Sequence, residues 1–129
     1  MRLGTRRALV VAGEDGMDEV SLAGKTDVTE VGPDDSTEFV WNPEIFGMES
    51  AGSEGMKAET PSQSADIIRR LLDGEKGPSR DVVVLNSAAA LWLAGKENNP
   101  VACAKLTAEA IDSGAAKDLL AKLAEESSC

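Results

Sequence analysis

The stretch ALVVAGEDGMDEVSLAG, Ala8 to Gly24, decides how this chain is read. It begins as an apolar run, which predicts a buried strand. The run stops at Gly13, and Asp15 and Gly16 supply turn chemistry. Glu14, Asp15, Asp18 and Glu19 then place four carboxylates within six residues. A strand ending in this way delivers an acidic loop to one edge of a sheet, where the ligands of α/β proteins usually sit. A pair of adjacent carboxylates held this way suits a hard divalent cation, and Mg²⁺ held by one or two carboxylates commonly carries substrate phosphates as well. The competing reading is a solvated acidic loop, because an Asp-Glu pair alone is a weak motif.

The 129 residues predict one domain, large enough to bury roughly two-thirds of the unfolded surface. The net charge of −10 repels phosphate backbones and argues against nucleic-acid binding. Any phosphorylated ligand needs a local cation or a bridging metal. The chain has no histidine, which excludes Ser-His-Asp and Cys-His catalysis within it. Its two cysteines, Cys103 and Cys129, form neither a disulfide framework nor a zinc spacing. No secretory leader is visible, and Val82–Ala94, the longest apolar run, is too short for a bilayer. A reducing cytoplasm is the default compartment, with no membrane partner.

The front half reads as β and the back half as α. Thr26–Val31 and Thr37–Trp41 are short strands, and Gly32-Pro33-Asp34-Asp35 between them predicts a hairpin turn. Asn42-Pro43 starts a single helical turn, and Gly47–Lys57 is a loop. Thr60-Pro61-Ser62-Gln63 is a capping box. It opens a helix with Ile67, Ile68, Leu71 and Leu72 on one face, ending at Gly74. Val82–Leu85 alone fits strand or helix, but the length and alanine content of Arg80–Lys96 favour a buried helix. Asn99-Pro100 opens the next, with Cys103, Leu106 and Ala110 on one stripe. The last carries Ala116, Leu119, Leu120 and Leu123. A helical block of this size usually covers more than three short strands, and Met1–Arg7 reads as a helix end and turn. Both features predict that part of the fold lies N-terminal to this segment, and that the chain alone exposes apolar surface and associates.

Four segments resemble anthranilate phosphoribosyltransferases, in order and in register. They are Leu3–Gly24, WNPEIFGM (Trp41–Met48), SRDVVVLNSAAALWLAGK (Ser79–Lys96) and AEAIDSGAA (Ala108–Ala116). The resemblance implies the C-terminal part of a phosphoribosyltransferase/nucleoside-phosphorylase-like α/β domain, with a small mixed sheet and a mostly helical C-terminal half. It implies a glycosyltransferase of the phosphoribosyl class. Such an enzyme joins phosphoribosyl pyrophosphate to anthranilate with release of pyrophosphate, in tryptophan biosynthesis, with Mg²⁺ as cofactor. The family's Asp-Gly-x-Asp-Glu motif stands here as Asp15 to Glu19, which implies Asp18 and Glu19 as the metal carboxylates. Glu14 and Asp15 are read as solvated turn residues, although Asp15 is able to bond its own loop backbone.

The departures matter as much. Residues 1–129 read as a single C-terminal fragment without the family's helical domain, its Gly-rich phosphate loop, and the basic residues and histidines that position both substrates. No catalytic or substrate-binding side chain is assigned. Ala12 stands where many members carry histidine, and Lys57-Ala58-Glu59-Thr60-Pro61 replaces a Gly-Gly-Asp run while keeping a good helix start. Asn86 is expected to bond a neighbouring backbone group. Trp41, Trp92 and Cys103 are expected in the core, and Arg6 and Arg7 in a solvated lead-in to the first strand. Three readings stay open: a fragment inert alone, one half of a split enzyme with a separate N-terminal polypeptide, and a non-catalytic binding module. The complete enzyme is also compatible with a homodimer.

Overall fold

Ala8–Gly13 forms strand β1, Thr26–Val31 strand β2 and Ser36–Trp41 strand β3. The computed structural model that shows this describes Gly4, residues 6–52 and residues 56–127. The expectations for Met1–Leu3, for Thr5, for the middle of the 47–57 loop and for Cys129 lie outside the described residues. The strands pair in the order β1-β2-β3. Both pairings are antiparallel, so the expected mixed sheet is antiparallel throughout the described residues. The reason lies in the connections. The acidic loop joins β1 to β2, and the Gly32–Asp35 turn, closed by Gly32 N–H to Asp35 C=O at 2.9 Å, joins β2 to β3. Neither holds the crossover helix that a parallel neighbour requires.

The register assigns each face. Val11, Val28 and Phe39 form one row and Gly13, Thr26 and Trp41 the next, all on the face turned to the core. Ala12, Asp27 and Val40 stand side by side on the opposite face, so Ala12 is exposed rather than packed.

Beyond the sheet, a 3₁₀ turn at Pro43–Phe46 is capped by Asn42, as expected. Four helices follow: α1 (Pro61–Leu72), α2 (Pro78–Leu93), α3 (Pro100–Asp112) and α4 (Ala115–Ser127). Thr60 and Gln63 form the reciprocal capping box, and Asn99 accepts from Val101 and Ala102 N–H. These side chains satisfy amides that a helix start leaves unpaired. The ambiguous Val82–Leu85 is helical.

Helix α2 is the axis of the molecule. Val84, Leu85, Ala88 and Ala89 enter the core with Val20, Leu22 and Val28 from the β side and Cys103, Ala104 and Ile111 from α3. All four aromatic residues of the chain meet at its C-terminal end. Trp41 lies 5.1 Å from Phe46 and 5.3 Å from Trp92, both edge-on, the geometry that aromatic quadrupoles favour. Arg7 is not solvated as expected. Its guanidinium stacks 4.2 Å over Trp92, pairs with Glu30 and donates to the Trp92 and Leu93 carbonyls, which places a cation at the negative end of α2. At the other end Arg80 Nη2 donates to Asp112 Oδ1 at 2.7 Å and ties α2 to α3.

Two helix faces differ from the expected pattern. In α3 the buried residues are Cys103, Ala104, Thr107 and Ile111, while Leu106 and Ala110 are exposed. Thr107 occupies a core position because its hydroxyl donates to the Cys103 carbonyl one turn back, at 3.1 Å. In α4 no described side chain is buried. Leu119 is 68% exposed and Leu123 62%, because no described residue covers that face.

Leu85 is fully buried, at 0% exposure. Leu85→Ala is expected to lower unfolding free energy by about 2–5 kcal/mol, the cost of lost burial plus a cavity, measured by urea denaturation of the chain.

Candidate metal centre

The loop from Glu14 to Lys25 is built by its own side chains. Gly13 N–H bonds the Met17 carbonyl at 2.9 Å and Gly16 N–H the Gly13 carbonyl at 3.0 Å. Gly16 has φ +85°, a conformation that glycine adopts without strain. Asp15 Oδ1 accepts from Met17 N–H at 3.2 Å and Oδ2 from the Ser21 hydroxyl at 2.9 Å. Ser21 N–H donates to Thr26 Oγ1 at 2.9 Å. Glu14 Oε1 accepts from Lys25 N–H at 3.0 Å. A Cβ on Gly13 would meet Asp15, and one on Gly24 would meet Glu14. Glu14 and Asp15 are exposed, in line with their reading as turn residues, and Asp15 does bond its own loop backbone. Beyond that reading, Glu14 also accepts from Lys25 N–H and Asp15 from the Ser21 hydroxyl, so both carboxylates help close the loop.

Past the turn the chain goes inward. Val20, Ser21 and Leu22 are buried. Asn86, from the middle of α2, accepts from Val20 N–H at 2.9 Å and donates to Val20 C=O at 3.0 Å. Its bonding to backbone is as expected, but the partner is this loop as well as its own helix. Ser21, Thr26 and Asn86 thus support the site in ways that no local sequence signal announced.

Asp18 and Glu19 lie between the turn and this buried anchor. Asp18 is exposed and Glu19 half-buried, and neither has a hydrogen-bond or ion-pair partner among the described residues. Burial, followed by the neighbouring carboxylates of Asp18 and Asp15, pushes the Glu19 carboxyl above its ordinary range. The structure thus leaves two adjacent oxygen donors unspent in a field that a cation would relieve. That donor chemistry fits Mg²⁺, a hard ion satisfied by one or two carboxylates. No group of three metal-binding side chains occurs among the described residues, so an ion held here would keep waters or take oxygens from a phosphorylated ligand. Cys103 plays no part: it is a free, buried thiol, and burial pushes its pKa up.

An antiparallel sheet ending in an acidic loop, backed by a helical layer, is the architecture of one portion of a transferase α/β domain. The chain belongs to the glycosyl transferase family, a/b domain, whose model matches residues 1–117. Its similar proteins are anthranilate phosphoribosyltransferases. That of Parvibaculum lavamentivorans is 49% identical over 94% of this chain and 36% of its own length. That of Geotalea uraniireducens is 43% identical over 94% of this chain and 35% of its own. The chain therefore spans about a third of the length of these curated relatives. The solved enzyme from Thermus thermophilus superposes with TM-score 0.82 at 40% identity, over 94% of this chain and 35% of that one. The enzyme from Saccharomyces cerevisiae, solved in complex with PRPP and Mg, matches with TM-score 0.73 at 28% identity, over 82% of this chain and 31% of that one. No helix among the described residues is long and apolar enough to cross a membrane.

The raised pKa of Glu19 has a signed consequence. A carboxyl whose folded pKa lies above its unfolded value costs stability once ionised, and the cost disappears as pH falls below the unfolded value, about 4.3 for glutamate. Glu19→Gln is expected to melt above wild type at pH 7 in metal-free buffer, with the difference vanishing toward pH 4. Thermal denaturation across that range checks it.

Proposed function

We propose that this chain supplies the Mg²⁺-binding part of an anthranilate phosphoribosyltransferase, which moves the phosphoribosyl group of phosphoribosyl pyrophosphate onto the amine of anthranilate in tryptophan biosynthesis. The observation that carries the reading is the division of labour on the acidic loop. Glu14 and Asp15 are consumed by backbone and Ser21, while Asp18 and Glu19 have no hydrogen-bond or ion-pair partner among the described residues. The relatives support it, since one of them is solved with PRPP and Mg.

Mg²⁺ bound there would supply Lewis-acid stabilisation of the charge that grows on the departing pyrophosphate. Asp18 and Glu19 hold and orient the ion, and no proton transfer is assigned to either. The buried Val20–Leu22 segment holds their backbone against the core. Ala12 brings no histidine to the outer sheet face beside the loop. Both substrates must also be fixed in a reactive approach geometry, which is worth several orders of magnitude in rate. We assign that work to the family's helical domain and Gly-rich phosphate loop. These are supplied by a longer chain or by a separate polypeptide, with a cytoplasmic, homodimeric complete enzyme as the setting.

The isolated chain is expected to form no phosphoribosyl-anthranilate, and measurable product from it alone would sink the fragment reading. Reconstituted with the N-terminal part of a relative, Asp18→Asn and Glu19→Gln should each lower turnover by about tenfold or more, most clearly at low Mg²⁺. Glu14→Gln keeps an acceptor for Lys25 N–H and should leave turnover nearly unchanged. A Mg²⁺ titration of activity for the three variants tests this. Loss in the Glu14 variant with full activity in the other two would overturn the assignment.

A further inference from the structure

We infer that Asn86 is a positioning residue for the Asp18–Glu19 pair, its side-chain amide holding both backbone groups of Val20 and so fixing the chain directly after Glu19. The inference rests on the metal reading proposed above. Asn86 Oδ1 accepts from Val20 N–H at 2.9 Å, and Nδ2 donates to Val20 C=O at 3.0 Å. This two-point contact reproduces one rung of a sheet ladder from a helix side chain. It resists rotation of the loop backbone as well as displacement. Nδ2 also donates to Val82 C=O at 3.0 Å. That bond orients the amide, because a flipped amide would set its NH₂ group against Val20 N–H and its oxygen against two carbonyls.

On the other side of the pair, Asp15 ties Met17 N–H and the Ser21 hydroxyl. Asp18 and Glu19 therefore ride on a short span fastened at both ends. Such a span is what two like charges need. Without it, mutual repulsion would spread the carboxylates until a cation arrived, and ordering the loop would then reduce affinity. Groups that hydrogen-bond a metal ligand typically change metal affinity by about 10–100-fold when lost. Asn86 acts one residue along the backbone from Glu19, which places its effect at the lower end of that range. No other residue type does the same work here. The position calls for a donor and an acceptor in one short planar group, which Asn provides.

Mn²⁺ serves as a spectroscopic probe on the isolated 129-residue chain, its binding read by electron paramagnetic resonance without any turnover. Wild type should bind, and Asp18→Asn and Glu19→Gln should each weaken binding. Asn86→Ala and Asn86→Leu change no charge, and both should weaken Mn²⁺ binding by about tenfold or more with helical circular dichroism intact. Amide hydrogen exchange of wild type should show Val20 protected relative to Asp18. If the Asn86 variants keep wild-type affinity while the Asp18 and Glu19 variants lose it, Asn86 is structural only and the inference is overturned. If wild type binds no Mn²⁺, or binds it equally well without Asp18 and Glu19, the metal reading fails and the inference with it. Should both Asn86 variants fail to fold, exchange decides: a Val20 amide as fast as that of Asp18 rules the clamp out.

Discussion

A half-buried amide in the middle of an apolar helix must find protein partners, because leaving its donors and acceptor unpaired costs about 1–3 kcal/mol for each group. Asn86 is that amide, and the rest of the molecule is arranged around how it is satisfied. Its helix carries Val84, Leu85, Ala88 and Ala89 into the core, and among the described residues the amide bonds its own Val82 carbonyl and the Val20 backbone of the loop that leaves β1. Pairing with Val20 draws that loop down onto α2 and lets Val20 and Leu22 join the same apolar cluster as Leu85. Sheet, loop and helices are thereby tied at one point. Arg7 and Arg80 reinforce the arrangement at the two ends of α2, one stacked on Trp92 and the other bonded to Asp112.

The electrostatics of the loop follow from its hydrogen bonds. Four carboxylates in six residues repel one another, and the fold answers by giving two of them donors. Asp15 takes a backbone N–H and a hydroxyl, and Glu14 takes a backbone N–H. The remaining pair has no donor among the described residues and is held beside buried chain, which raises the proton affinity of Glu19. A proton or a divalent cation relieves that arrangement, and at neutral pH the cation has the advantage of acting on both carboxylates at once.

Much of the secondary structure was legible in the sequence because its signals are local. Asn42, Thr60 and Asn99 each stand before a proline, and each caps the helical segment that follows. Gly32–Asp35 makes the expected turn. The acidic loop was legible too, as was its motif resemblance to anthranilate phosphoribosyltransferases. What the sequence hid is long-range. Asn86 and Val20 are 66 residues apart, and no pattern within a window pairs them. Arg7 looked solvated because Trp92 and Glu30 are remote from it in the chain. Thr107 misled the periodicity of α3 because its hydroxyl is satisfied within its own helix, so a polar letter marks a core position. In α4 the apolar stripe was read correctly as a stripe, but its burial depended on a partner that no described residue provides.

The net charge of −10 makes the last constraint general. A pyrophosphate group carries several negative charges, and a loop bearing four carboxylates cannot attract it directly. Approach becomes favourable only when a divalent ion stands between them, and even then the ion neutralises part of the sum. The remaining charge requires cationic side chains or backbone amides aimed at the phosphates. Within Glu14–Lys25 the one cationic residue is Lys25, and the backbone amides of Gly13, Glu14 and Gly16 are already used within the turn or at its closure. On the proposed reading the acidic loop is one wall of a phosphate site, whose chemistry would be complete only against a second wall of opposite charge; the chain itself spans about a third of the length of its curated relatives.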